Sequence, residues 1–278
     1  ERVFDDIKPP VTMQYGSESY HQATFFEPAT CVKKARPLVI LAPGGGWASY
    51  TEVTRLTVLA NDLALRGYTV AIVQYALGQQ GFDTYLKATQ DIRSAVRFFK
   101  INGPNLNIDP ENIFTGGWST GAQMSLAAAF VENDEIALVN QDIMRQGLQS
   151  AINSFGFDNN DNPGVNNQVR GAVICFATMP DTVFFQTDGP ALMMINHEES
   201  QFSDGTKVIG FVNHNGVDVY GTDMINEQTK RVGYLEGQDL EYLRLSGPSL
   251  YGGVNESSLA SEYWDQIAEF MHRNMKTN

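Results

Sequence analysis

Two short runs in this 278-residue chain have the residue types and spacing to do chemistry. One is Gly117-Trp118-Ser119-Thr120-Gly121, a Gly-x-Ser-x-Gly run preceded by Ile113-Phe114-Thr115-Gly116. It predicts a strand, a sharp turn and a helix, with the Ser119 hydroxyl presented at the top of a sheet. Side chains at 117 and 121 would clash with the neighbouring strand and helix, hence the two glycines. The amide of Thr120 opens the helix and points at any anion forming near Ser119. The other run is Pro43-Gly44-Gly45-Gly46-Trp47. Glycines let a substrate approach their amides closely. Those of Gly45 and Gly46, with Thr120, are expected to form an oxyanion hole, with donors about 2.7–3.1 Å from the developing charge. Trp47 and Trp118 are expected to line or wall the site, with plain core packing an equal alternative for either. The chemistry implied is acyl transfer through a serine nucleophile.

The elements that must position these runs alternate along the chain. Residues 1–36 read as irregular apart from a strand over Gln22 to Glu27, ended by Pro28. Leu38 to Ala42 is a continuous apolar run, of the kind buried on both faces of a parallel sheet. A helix over Val53 to Arg66, capped by Gly67, leads to a second buried strand, Thr69 to Val73. The periodicity predicts a long amphipathic helix from Asp83 to Lys100, stopped at Asn102-Gly103-Pro104. Residues 107–112 link it to the strand before Ser119. After the helix Ala122 to Phe130 the period weakens. A helix over Glu135 to Gln149 and the polar run 158–164 read as an insertion over the sheet edge. Strands over 172–176, 191–196 and 240–245, with helices over 223–235 and 258–273, complete the series. The order predicts one doubly wound α/β domain spanning 1–278, mostly parallel, with helices on both faces and insertions at 131–168 and 199–223.

Composition narrows the partners. A formal net charge of −13 argues against nucleic acid and anionic membranes and is compatible with neutral small-molecule substrates. No stretch is long enough to span a membrane. Cys31 and Cys175 are the only cysteines, and their spacing makes neither a disulfide framework nor a metal site. No cofactor or metal is expected, and Gly44 to Gly46 lacks the Gly-Lys-Ser/Thr ending of a phosphate loop. The first residue is Glu1, not Met, which fits either a removed signal peptide or a trimmed start. A secreted or periplasmic location is the expectation. Oligomeric state is not readable.

Several separated segments together resemble the α/β-hydrolase superfamily. Pro43 to Trp47 looks like the His-Gly-Gly-Gly-Trp oxyanion motif of lipases and carboxylesterases, with Pro43 in place of the histidine. Val73-Gln74-Tyr75-Ala76-Leu77 is similar to the tyrosine-containing end of their next strand, and Ile108 to Ile113 with Gly116 to Gly121 to their approach to the nucleophile. The likeness covers residues 37–130 well and looks closest to microbial carboxylesterases, including the acetyl and feruloyl esterases. It implies an acid after the strand 191–196, where Glu198, Glu199 and Asp204 stand, Glu199 nearest by spacing. It also implies a histidine in the loop after the last strand, yet residues 246–253 read Ser-Gly-Pro-Ser-Leu-Tyr-Gly-Gly. The four histidines are His21, His197, His214 and His272. His21 and His272 read as surface or structural. His214, or else His197 at the C-terminal end of a strand, could supply a relocated base. Two readings follow: a serine esterase on small acyl esters using Ser119, Glu199 and His214, or a catalytically degenerate α/β-hydrolase that keeps a ligand pocket.

Overall fold

The computed structural model describes residues 2–30, 34–51, 53–197, 219–245 and 261–276. The strands are β1 (Val11–Gln14), β2 (Gln22–Phe26), β3 (Arg36–Ala42), β4 (Thr69–Val73), β5 (Ile108–Trp118), β6 (Gly171–Cys175), β7 (Ala191–His197) and β8 (Leu240–Leu245). The helices are α1 (Val53–Leu65), α2 (Phe82–Leu106), α3 (Thr120–Phe130), α4 (Asp142–Phe155), α5 (Thr222–Arg231) and α6 (Ser261–Arg273), with short 3-10 turns at Asp134–Leu138 and Thr182–Phe184.

The strands form one sheet in the order β1-β2-β4-β3-β5-β6-β7-β8. The β1/β2 and β2/β4 pairs are antiparallel and the rest are parallel. This is the α/β-hydrolase fold. The central strands are buried on both faces, which is why β3, β4 and β6 carry apolar runs without alternation. On one face, Val39, Leu41, Val173 and Cys175 meet Leu56 and Leu59 of α1 and Trp264 and Ile267 of α6. On the other, the Thr115 hydroxyl donates to the Ser125 carbonyl of α3 at 3.2 Å.

The structure corrects several boundaries. The N-terminal segment holds a second strand, β1, whose residues Val-Thr-Met-Gln are mostly exposed at the sheet edge. With no buried face, it has no apolar alternation to read. Helix α2 does not stop at Asn102-Gly103-Pro104. It carries Pro104 inside its last turn and ends at Asn107, a left-handed cap (φ 55°, ψ 37°) whose N–H donates to the Gly103 carbonyl. Gly103 is needed there: a Cβ would lie 3.1 Å from the Ile108 carbonyl oxygen as the chain turns back into β5. Residues 108–112 belong to β5, with a register shift against β3 between Arg36 and Leu38. The helix expected over 135–149 is instead the 3-10 turn followed by α4. The last helix is described only from Ser261.

The polar run after α4 is bound to α2. Arg97 reaches the Asp158 carboxylate at 2.5 Å and the Asn159 side chain at 2.7 Å, and Gln90 reaches the Gly156 carbonyl at 2.8 Å. The buried Arg93 guanidinium donates to the carbonyls of Val131 and Phe157 and lies over the Phe157 ring. Most of the insertion expected at 199–223 lies outside the described residues.

Candidate active site

Ser119 is the single residue between β5 and α3. Its backbone sits at φ 51°, ψ −121°, a region non-glycine residues seldom adopt, at a cost of about 1–3 kcal/mol. Its surroundings hold it there. The Ser119 N–H donates to the Cys175 carbonyl at the end of β6 (2.9 Å), and its carbonyl accepts from Gln123 N–H one turn into α3 (3.0 Å). The flanking glycines let backbone meet backbone. A Cβ on Gly117 would lie 2.3 Å from the Ala42 carbonyl oxygen, and one on Gly121 2.1 Å from the same atom. The result is a half-buried serine at the C-terminal edge of the central strand.

The glycine turn after β3 lies directly against it. A Cβ on Gly44 would come within 2.9 Å of the Trp118 carbonyl oxygen and 3.1 Å of Ser119 Cβ. Gly45 (φ 134°), Gly46 (φ 64°) and Trp47 (φ 61°) turn the chain, closed by bonds from Ala48 N–H to Gly45, Thr51 N–H to Gly44 and Gly78 N–H to Trp47. Among the described residues, no group accepts from the amides of Gly45, Gly46 or Thr120. Amides with no acceptor among the described residues are candidates to donate to a ligand oxygen.

Trp47 and Trp118 are 2% and 6% exposed and belong to the core. The Trp118 ring packs on Phe176 (centroids 4.9 Å apart) and under the Arg55 guanidinium (5.3 Å), on the α1/α6 face of the sheet.

Sequence reasoning noted Tyr75 only as a strand-end tyrosine and missed what it does. Its side chain is fully buried, and its hydroxyl lies 2.5 Å from the Pro43 carbonyl oxygen and 3.3 Å from Thr120 Oγ1. Burial pushes this phenol up to about 12, so it stays protonated. The Tyr50 hydroxyl in turn donates to the Tyr75 carbonyl. A polar side chain at the end of an apolar strand, facing a glycine turn, was the available signal.

Two of the four histidines are placed away from Ser119's bonding partners. His21 is buried, with Nε2 2.8 Å from Asp91 Oδ1 and Nδ1 3.2 Å from both Asp161 Oδ2 and the Glu18 amide. Asp91 accepts from Nε2 when that nitrogen carries a proton, while Nδ1 faces both the Glu18 N–H and the Asp161 carboxylate. Asp91 also accepts from Ala76 N–H at 2.8 Å. Burial raises the Asp91 carboxyl above its ordinary value, against the lowering effect of His21. His21 is structural and not on the surface. His272 is exposed on α6. His197 closes β7. His214, Glu198, Glu199, Asp204 and the loop 246–253 lie outside the described residues. Before them, Asn196 is buried and its amide donates to the Thr222 hydroxyl at 2.8 Å, tying the end of β7 to α5.

Among the described residues there is no group of three or more His, Cys, Asp or Glu that could hold a metal, and no helix long and apolar enough to cross a membrane. The Cys175 thiol is buried and pushed up to about 12, so it is not a nucleophile at neutral pH.

The BD-FAE family model matches residues 25–188, more than half of the chain. The chain belongs to the BD-FAE family. The family is one of α/β-hydrolase-like esterases. The matched span takes in Pro43 to Trp47, Tyr75 and Ser119, and stops short of Glu199 and His214. Esterase 2 of Thermogutta terrifontis has the same fold. Its apo form aligns with a TM-score of 0.70 at 12% identity over 97% of each chain. Its propionate-bound form aligns at 0.69 and 12%, over 97% of this chain and 96% of that one. Among curated proteins, non-reducing polyketide synthase atr1 of Stereocaulon alpinum is 24% identical over 116 residues. That segment is 40% of this chain, and the chain spans only 5% of the synthase's length.

Proposed function

We propose that this BD-FAE member is a serine carboxylic-ester hydrolase for small acyl esters. The observation that carries the reading is the Ser119 elbow set against three amides, those of Gly45, Gly46 and Thr120, that no described group claims. Ser119 Oγ attacks the ester carbonyl, and its proton passes to an imidazole. The carbonyl oxygen becomes negative and is held by the three amides, which gain most where charge develops. The alcohol leaves with the proton, and water then hydrolyses the acyl-serine by the same route in reverse. We assign the imidazole to His214 and its orienting carboxylate to Glu199, in the chain order serine, acid, histidine. Propionate and butyrate bind the Thermogutta esterase of the same fold, which supports a small acyl group here.

The test is hydrolysis of p-nitrophenyl acetate and butyrate by wild type and Ser119→Ala, with fluorophosphonate labelling alongside. The esterase reading expects Ser119-dependent turnover and labelling. Wild type that does neither better than Ser119→Ala sinks it. One observation favours a second reading, a degenerate hydrolase that binds a ligand in the old pocket: the loop 246–253 has no histidine. An imidazole-free serine stays protonated at neutral pH and reacts poorly. That outcome is marked by an ester analogue that binds with micromolar affinity and is not turned over.

A further inference from the structure

We propose that Tyr75 is a positioning residue for the oxyanion hole, its hydroxyl clamping the glycine turn and the start of α3 into one rigid donor set. This rests on the reading of Ser119 given above. The physical problem is that the two sources of amides are separate pieces of chain. Gly45 and Gly46 sit on a run of three glycines, the most conformationally free backbone available. Thr120 sits on the helix that follows the elbow. Electrostatic stabilisation of a transition state needs donors that are already aimed, since reorienting them during reaction would cost what they supply.

Among the described residues, the backbone bonds of the glycine turn run within it and to Gly78. The Tyr75 hydroxyl is hydrogen-bonded to both pieces. The Pro43 carbonyl can only accept, so the phenolic proton goes to it at 2.5 Å. The phenolic oxygen is then left to accept, and the Thr120 hydroxyl donates to it at 3.3 Å. Pro43 has neither an N–H nor a polar side chain, so its carbonyl is the one hydrogen-bonding handle at that position. The peptide bond is planar and trans, so fixing that carbonyl also fixes the direction of the Gly44 N–H on the opposite side. The turn therefore leaves β3 with a set orientation.

Tyr75 is itself fixed from behind. Tyr50 holds its carbonyl, and the next amide, Ala76, is held by Asp91. The clamp thus stands just past the end of β4, the neighbour of β3, and not on the glycine backbone it has to steer.

The experiment compares wild type, Ser119→Ala, Tyr75→Phe, Thr120→Val and the Tyr75→Phe/Thr120→Val double variant. The readouts are kcat and KM on p-nitrophenyl acetate, inhibition by an aryl trifluoromethyl ketone, the rate of fluorophosphonate labelling and the thermal midpoint. Tyr75→Phe keeps the buried ring and removes only the hydroxyl. We expect kcat to fall roughly 10- to 100-fold at a KM within about twofold, somewhat less than loss of a direct donor. Affinity for the ketone, whose adduct carries an oxyanion, should fall by the same factor, and labelling should slow with it. Thr120→Val, which keeps the Thr120 amide, should cost roughly 3- to 10-fold, the worth of one hydrogen bond. The double variant should lose little beyond Tyr75→Phe alone, because both act through one hydroxyl.

Unchanged kcat and labelling in Tyr75→Phe overturn the inference. So does a loss that leaves ketone affinity at the wild-type value, since packing damage alone would do that. Should Tyr75→Phe fail to fold, Thr120→Val decides: labelling at the wild-type rate overturns the clamp. Wild type that labels no faster than Ser119→Ala removes the site reading itself and the clamp with it. Wild type that labels well, beside a Tyr75→Phe variant that labels equally well, removes the clamp alone.

Discussion

Two polar clusters lie on either side of the Tyr75–Ala76 peptide, and they have opposite character. On one side, the Tyr75 hydroxyl meets Pro43 and Thr120 beside Ser119, and the nearby amides of Gly45, Gly46 and Thr120 have no described acceptor. On the other, Ala76 N–H donates to Asp91, which accepts from His21, whose second nitrogen faces Glu18 N–H and Asp161. The second cluster contains an aspartate–histidine pair, the more familiar emblem of catalysis. It is closed: His21 is 1% exposed, Tyr15 stacks on it and Tyr20 meets it edge-on. A saturated buried network holds chain segments together, here the N-terminal arm, α2 and the loop after α4. In the proposed mechanism, donors without a described acceptor beside a strained serine hold a place for charge that appears only during reaction. The two clusters differ in partner satisfaction, and on the proposed reading that, not residue type, is what separates scaffold from site.

The largest effect expected is at Ser119. Ser119→Ala should lower ester turnover by roughly 10³-fold or more, leaving what an oxyanion hole alone retains. It should also abolish fluorophosphonate labelling, with the thermal midpoint near wild type or above it, since alanine removes no described side-chain bond. Equal turnover in wild type and variant would place the chemistry elsewhere. The base comes next. His214→Ala should approach the Ser119→Ala rate, and His197→Ala should stay within about tenfold of wild type, because loss of a triad member is nearly as costly as loss of the nucleophile. The reverse ranking assigns the base to His197. Full activity in both variants leaves the esterase without either imidazole.

At His21 the comparison predicts a loss of stability in place of a loss of rate. His21→Ala strips the buried Asp91 carboxylate of one of its two partners and opens a gap under Tyr15. The cost should be about 2–4 kcal/mol, read as a lower thermal midpoint and a lower urea midpoint. Well below that midpoint, kcat should stay within about threefold of wild type. A collapse of kcat at an unchanged midpoint would reverse the contrast and make His21 the working imidazole.

How much of this was legible in the sequence follows from where each feature keeps its information. The elbow and the glycine turn were readable because their geometry is a backbone requirement: only glycine fits where Cβ would meet the Ala42 carbonyl, and that demand is written in single letters. The central strands were readable because burial on both faces leaves an apolar run. Strand β1 was not, since an exposed edge strand imposes no pattern. Pro104 misled because a proline in a helix's last turn removes one bond without ending the helix, while the real stop is the left-handed Asn107. The tryptophans stayed open between site wall and core because an aromatic beside a nucleophile looks the same in sequence whether it faces the site or the core. The Tyr75 clamp and the His21 network join residues distant in sequence, and no local spacing encodes them. The pair expected to complete the triad, Glu199 and His214, lies beyond the span matched by the family and outside the described residues.

The smallest effect separates the two glycines of the turn itself. Both have positive φ, but their surroundings differ. A Cβ on Gly45 would lie 2.0 Å from the Ser49 carbonyl oxygen, a backbone atom that cannot yield without moving the turn. A Cβ on Gly46 would find nothing closer than Gln80 Nε2 at 3.7 Å. Gly46→Ala therefore has only left-handed strain to bear, about 1–2 kcal/mol. It should fold with a modestly lower thermal midpoint and keep measurable turnover, with KM rising more for butyrate than for acetate esters as the new methyl narrows the approach. Gly45→Ala must bear that strain and displace backbone as well. It should lose more stability than Gly46→Ala, and its kcat should fall because the displaced amide no longer points at the oxyanion. Equal behaviour of the two variants would mean the turn is plastic enough to absorb either methyl. In that case rigid, pre-aimed amides could not be what distinguishes the Ser119 side of the Tyr75–Ala76 peptide from the His21 side.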